Sequence, residues 1–244
     1  MFASTAVLVF APAAVVTAYV VFGVCGFGST LVAVPLMAHF LPLKFVIPVV
    51  VLLDGVASAS QGLQLRADID RREIVPLLPF LVLGMTAGTL LLVSVPGDML
   101  MLCLGAFVLV YGANYLFNRG SVPRLPRWSA APIGLFGGTT AALFGSGGPV
   151  YVVYLAGRGA TPDQIRATMP VVFIFTTLAR IIVFALAGLF DREVFIATAL
   201  LLPAMALGLW LGNRWHARIS RAQAVRAVGV VLTLSGVSLL LRAL

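Results

Sequence analysis

Gly23-Val24-Cys25-Gly26-Phe27-Gly28-Ser29 and Phe144-Gly145-Ser146-Gly147-Gly148-Pro149 are two glycine-rich interruptions of an otherwise apolar chain. They lie about 120 residues apart in a chain of 244, one in each half. A helix broken inside a membrane leaves backbone N–H and C=O groups unsatisfied. Such a break is tolerated only where it is buried in protein or lines a cavity. A matched pair of breaks in two halves therefore points to a binding site on a transport pathway.

The surrounding composition supports a bilayer as solvent. The chain is 61% hydrophobic and 10% charged, with a mean hydropathy of +1.10, more apolar than a soluble core of this length requires. Uncharged stretches of roughly 18–25 residues match the hydrocarbon thickness. The alternating ten-residue segments of a membrane barrel are missing. The expected fold is an all-α polytopic membrane protein in contact with lipid. The net charge of +8 comes from basic residues between apolar segments, where orientation in the membrane accounts for them, so nucleic acid is not an expected partner. Cys25 and Cys103 stand in apolar surroundings without metal-ligand spacing and read as core residues, Cys25 being also close to any ligand at the first break. Met1-Phe2-Ala3-Ser4-Thr5 carries no basic stretch, so a cleaved signal peptide is not expected. Nucleotide-binding, metalloprotease, G-x-S-x-G and metal-spaced His/Cys motifs do not occur. No enzymatic activity, cofactor or metal is therefore expected.

The apolar runs predict helices over about 5–22, 29–41, 45–65, 74–93 and 98–117, then 131–144, 148–157, 164–189, 193–212 and 222–241. The halves repeat. Gly28 aligns with Gly147, Pro48 with Pro170, Pro79 with Pro203, Gly84 and Gly88 with Gly208 and Gly212, and Gly105 and Gly112 with Gly229 and Gly236, at offsets between 119 and 124. The expected organisation is an N-terminal repeat over 1–117, a cytoplasmic linker over 118–130 and a C-terminal repeat over 131–244, together forming one membrane transport domain. Gly84/Gly88 and Gly208/Gly212 also have the small-xxx-small spacing that lets helices approach closely. The same faces would suit a homodimer.

Loop charges separate two topologies. If each break is a simple kink, each half crosses four times. One side then holds Lys44, Arg158, Arg166, Arg214, Arg218, Arg221 and Arg226, and the other holds Arg66, Arg71, Arg72, Arg119, Arg124, Arg127, Arg192 and Arg242. Seven against eight is no asymmetry. If each break is instead the tip of a hairpin, three further crossings follow in each half and the repeats are inverted. Twelve of these arginines then share a side, leaving Lys44, Arg192 and Arg242 opposite. The positive-inside rule favours the second arrangement, with both termini outside and the Arg-rich loops in the cytoplasm. The 148–157 limb is too short to span, which favours a broken or re-entrant helical hairpin followed by three transmembrane helices in each repeat.

In that arrangement Ser29 opens one limb and Gly148-Pro149 the other, with Ser146 placed to help cap it. Both half-helices aim their N-termini at the membrane interior, where free N–H donors and the helix dipole favour an anion. Gly26, Gly28, Ser29 and Thr30 at the first tip, and Gly145, Ser146, Gly147 and Gly148 at the second, are the candidate binding residues. Two ionisable groups lie deep in apolar segments, where charges usually face a pathway or a partner. Asp54, Ser58 and Gln61 form one polar stripe, a candidate for coupling to protons. Thr176, Thr177 and Arg180 form the stripe at equivalent positions of the second half, Arg180 offering a planar donor fork to an anion. Asn114 reads as an interhelical hydrogen bonder, and His39 and Lys44 as residues at a membrane edge. A membrane enzyme or scaffold in which Asp54 and Arg180 are a structural pair, and an anion channel, remain alternatives.

Two halves that each open with an apolar run, a glycine-rich break and a short limb resemble the TauE/SafE sulfite exporter family, also called the 4-toluene sulfonate uptake permease family. The stretches that carry the likeness are Gly23-Val24-Cys25-Gly26-Phe27-Gly28-Ser29-Thr30-Leu31-Val32-Ala33-Val34-Pro35-Leu36 and Gly145-Ser146-Gly147-Gly148-Pro149. The family tends to carry more consecutive glycines where Cys25 and Phe27 stand. The second-half counterpart of Pro35 is Tyr154. The resemblance implies an inner-membrane secondary transporter of sulfur-containing anions such as sulfite or organosulfonates, with export as the expected direction.

Overall fold

Helix starts and stops follow local chemistry. In the computed structural model, which describes residues 5–25, 28–61, 71–117, 124–145, 147–215 and 221–243, the elements are α1 (Thr5–Cys25), α2 (Ser29–Ala38), α3 (Leu43–Gln61), α4 (Arg71–Ser94), α5 (Gly97–Phe117), a 3-10 turn (Arg127–Ser129), α6 (Ala130–Phe144), α7 (Gly148–Gly157), α8 (Pro162–Leu186), α9 (Arg192–Trp215) and α10 (Arg221–Ala243). No strand occurs among the described residues. The Thr161 side chain accepts from the Gln164 backbone while the Gln164 side chain accepts from Thr161 N–H, a reciprocal cap that starts α8. This cap starts the helix two residues ahead of the sequence expectation. Gly188, at φ 69°, ends it early. The Asp191 carboxylate accepts from Val194 N–H at 2.8 Å and opens α9.

Among the described residues, Leu43–Ser60, Arg72–Ser94 and Arg192–Trp215 are long and apolar enough to cross a membrane. Large apolar side chains face outward, including Leu83, Leu90, Leu186, Leu200 and Leu241, each at least 59% exposed. So much outward apolar surface fits lipid as the solvent. The protein is an all-α polytopic membrane protein.

The chain forms two compact units, each drawing on both halves of the sequence. The first comprises Met1–Leu53, Val95–Arg119 and Phe190–Leu244. Here α1 and α2 fold back on each other, since the Phe10 and Phe40 rings stack at 5.0 Å. A continuous helix would separate them by about 45 Å. α9 runs parallel to α1. A Cβ on Gly208 would lie 2.5 Å from the Val16 carbonyl oxygen, and one on Gly212 would lie 2.5 Å from that of Val20. α5 and α10 run antiparallel, because Gly105 meets Gly236 while Gly112 meets Gly229 and Thr233. His39 is not simply turned to headgroups. Its Nδ1 donates to the Pro35 carbonyl at 2.8 Å and its Nε2 pairs with Ser238 Oγ at 2.9 Å, tying the end of α2 to α10.

The second unit comprises Asp54–Ser94 and Gly120–Leu189. α6 runs parallel to α4, with Gly84 on Leu135 and Gly88 on Thr139 from one side and Gly138 on Leu81 and Met85 from the other. The Thr139 hydroxyl donates across this interface to the Gly84 carbonyl at 3.1 Å. α6 and α7 fold back at the second break, and the Tyr151 ring of α7 packs on Gly137 of α6.

Candidate functional site

Both breaks turn on a glycine in the left-handed region, Gly28 at φ 95° and Gly145 at φ 71°. A residue with a Cβ adopts that conformation only at a cost. Each following half-helix is 10 residues long, about 15 Å and half a hydrocarbon thickness. Each also begins at a glycine N-cap, Gly28 for α2 and Gly147 for α7, with no side-chain cap. In contrast, Thr161 caps α8 with its side chain and the Asp191 carboxylate opens α9. A glycine N-cap supplies no acceptor to the first-turn N–H groups. Pro149 stands second in α7, behind Gly148, rather than first.

The predicted residues fall as follows. Ser29 and Thr30 are buried in the first turn of α2, at 3% and 4% exposure. Gly26 and Ser146 lie outside the described residues, as do the side chains of Gln61, Asn114 and Cys25. Gly148 packs on α8. A Cβ there would lie 2.9 Å from Phe173 Cζ. Phe173, Thr176, Thr177 and Arg180 recur at helical spacing, so the α8 face that touches the second tip is the one carrying the predicted polar stripe. Thr176, Thr177 and Arg180 are all buried, and the Arg180 guanidinium carbon stands 5.8 Å from the Phe184 ring centroid. The same face meets α3, because a Cβ on Gly55 would lie 3.6 Å from both Thr177 and Ile181 side chains. The neighbouring Asp54 is buried and Ser58 half-buried. The second tip, the Thr176/Thr177/Arg180 stripe and the Asp54 segment thus share one unit and meet through α8.

Two features escaped sequence reading. The Tyr151 ring fills the space over Gly147 as well as Gly137, so those glycines make room for an aromatic ring at the tip. The other is an ion pair at the far end of α7. Arg158 grips both carboxylate oxygens of Glu73, Nε to Oε2 at 2.8 Å and Nη2 to Oε1 at 2.9 Å. Tyr154 donates to Oε2 at 3.0 Å, and Arg158 Nη1 donates to the Leu125 carbonyl at 2.9 Å. The Glu73 hydrogen bonds raise the Arg158 pKa above its ordinary value. This cluster pins α7 to the start of α4 and to the segment before α6. Tyr154 and Arg158 are one helical turn apart, a visible signal, but nothing local pairs them with Glu73, 85 residues away in sequence.

The family model described as Sulfite exporter TauE/SafE matches residues 10–239. The chain is 32% identical over 193 residues to the Probable inner membrane transporter protein TsaS of Comamonas testosteroni, covering 78% of this chain and 80% of that one. It is 28% identical over 171 residues to the Probable sulfite/organosulfonate exporter TauE of Cupriavidus necator, covering 70% and 66%. No solved structure matches significantly.

Proposed function

Because the chain belongs to the sulfite exporter TauE/SafE family, whose members are named as transporters rather than enzymes, we propose that it is an inner-membrane secondary transporter exporting a small sulfur oxyanion such as sulfite or an organosulfonate. The observation that carries this reading is the second tip. A half-helix with a glycine N-cap abuts, through Gly148 and Phe173, the α8 face that bears Thr176, Thr177 and Arg180. The first turn of α7 offers the N–H groups of Gly148 and Val150, Pro149 having none, and the helix dipole adds positive potential there. Arg180 supplies a full positive charge and a planar donor fork. Thr176 and Thr177 add hydroxyls. Gly28, Ser29 and Thr30 offer the same chemistry at the start of α2.

An interior-negative potential favours outward movement of an anion by about 2.3 kcal/mol per charge per 100 mV. Uptake would require a coupled cation, and Asp54, beside the Thr177 contact, is the residue assigned to a proton. One of three packing directions supports inverted repeats. α4 with α6 and α1 with α9 run parallel, which both topologies allow. α5 with α10 runs antiparallel, which hairpins in inverted halves require and four straight crossings per half do not give. With the loop arginines, this supports a cytoplasmic 118–130 linker and both termini outside.

The test is substrate flux in proteoliposomes under a pH gradient. Saturable sulfite or sulfonate flux is expected, lost in Arg180→Ala and partly retained in Arg180→Lys, with helicity intact in both. Asp54→Asn is expected to abolish the response to the pH gradient. Unchanged flux in Arg180→Ala would remove Arg180 from the site.

A further inference from the structure

An open cleft of about 480 Å³ lies at the start of α4, lined by Arg72, Val75, Pro76 and Arg127. Two of these four residues are arginines, and the exposed lining is mostly apolar. The neighbouring carboxylate, Glu73, has both oxygens engaged by Arg158. Trp128, next to Arg127, is 74% exposed, the placement of an aromatic residue anchored at a membrane–water interface.

The cleft heads a lipid-facing strip. Val75, Pro79, Leu83, Leu90 and Val93 are all exposed. At 100° per residue they fall within one narrow arc of α4. The strip runs about 27 Å, close to the hydrocarbon thickness of a bilayer. The two guanidinium groups therefore stand at the edge of the hydrocarbon, the level of lipid phosphates. Guanidinium forks match phosphate oxygens, and the Val75 and Pro76 walls suit the glycerol and first methylenes of an acyl chain. A small inorganic anion has no use for those apolar walls or for the strip below them.

We propose that the Arg72–Arg127 cleft binds an anionic phospholipid, its phosphate between the two arginines and its acyl chain along the exposed strip of α4. The site is separate from the transport site and does not depend on the identity of the exported anion. By bridging α4 and the turn before α6, the lipid stabilises the start of the helix pair that carries the second tip.

The test is native mass spectrometry of the detergent-purified full chain with phosphatidylglycerol and phosphatidylcholine of equal chain length. A basic residue near the membrane surface contributes about fivefold in affinity, so two give a preference of about thirtyfold for phosphatidylglycerol. Arg72→Gln/Arg127→Gln should abolish the preference while leaving helicity unchanged. Arg214→Gln, which alters an exposed arginine over Trp210 at the end of α9, should keep it. Retained preference in the double variant overturns the proposal. So does displacement of phosphatidylglycerol by millimolar inorganic phosphate or sulfite, which would mark the cleft as a small-anion vestibule.

Discussion

Replacing Gly84 by alanine tests how the second tip is held. The Cβ would lie 2.9 Å from both Cα and the carbonyl carbon of Leu135, with the carbonyl oxygen nearer still. Carbon atoms in good contact stand about 3.5–4.0 Å apart, and relieving the closer carbonyl oxygen as well requires α4 and α6 to part by about 1 Å. The obstacle is backbone, which cannot rotate aside, and this places the penalty in the upper part of the ~1–3 kcal/mol range for overpacking. The Thr139–Gly84 bond at 3.1 Å would lengthen beyond hydrogen-bonding range, with a further loss of about 0.6 kcal/mol typical of bonds between membrane helices. Alanine returns about 1 kcal/mol of helix propensity. The net destabilisation is about 2 kcal/mol. SDS titration of purified protein followed by far-UV circular dichroism reads it directly. Gly97→Ala is the control, since nothing lies within 4 Å of its Cβ position, and it should fall within about 0.5 kcal/mol of the parent. α6 ends at Gly145, the residue on which the tip turns, so Gly84→Ala should also lower flux. If Gly84→Ala resists SDS as well as Gly97→Ala does, the close-contact reading of α4 and α6 fails.

Two further outcomes are expected. Glu73→Gln and Arg158→Gln should each lower the thermal midpoint, and the double variant should be no worse than the weaker single; additive losses would show that the two side chains do not act as a pair. In a background with Cys25 and Cys103 replaced by serine, Arg124→Cys should react with an impermeant thiol reagent only in inside-out vesicles, and labelling from the outside of intact cells would refute the orientation drawn from the loop charges.

Much of the fold was legible because membrane helices announce themselves by length and apolarity, and breaks by glycine. The ten α-helices among the described residues were all expected from apolar runs, and both tips turn on a glycine of the expected stretch, Gly28 and Gly145. The limits moved where short-range chemistry decides them. The reciprocal cap of Thr161 and Gln164 began α8 early, and the turn through His39 and Phe40 ended α2 at Ala38. The spacing of Gly84 with Gly88 and of Gly208 with Gly212 correctly signalled close packing, yet it could not name the partner. That depends on which helix presents bare backbone at the same depth. The Phe173–Gly148 contact and the Glu73–Arg158 pair were invisible for the same reason, because both join residues far apart in sequence. The stripe on α8 was readable from spacing alone, but its placement against the second tip was not.

The glycine contacts carry a consequence for how the tips are controlled. The first helix of each half packs on the fourth helix of the other, α1 on α9 and α6 on α4, each through glycines set against a foreign backbone. Each hairpin is therefore braced by the half that does not contain it. A half expressed alone would leave Gly84 and Gly88, or Gly208 and Gly212, facing lipid, with the backbone contacts they serve unmade. It would also leave its own hairpin unsupported. Membrane helices associate by such close packing rather than by expulsion of water, so the loss is not recovered by burying other apolar surface. The exchange ties each break to a helix from the other half of the sequence. A movement of α4 reaches the second tip through Gly84 and Gly138, and a movement of α9 reaches the first through Gly208 and Gly212.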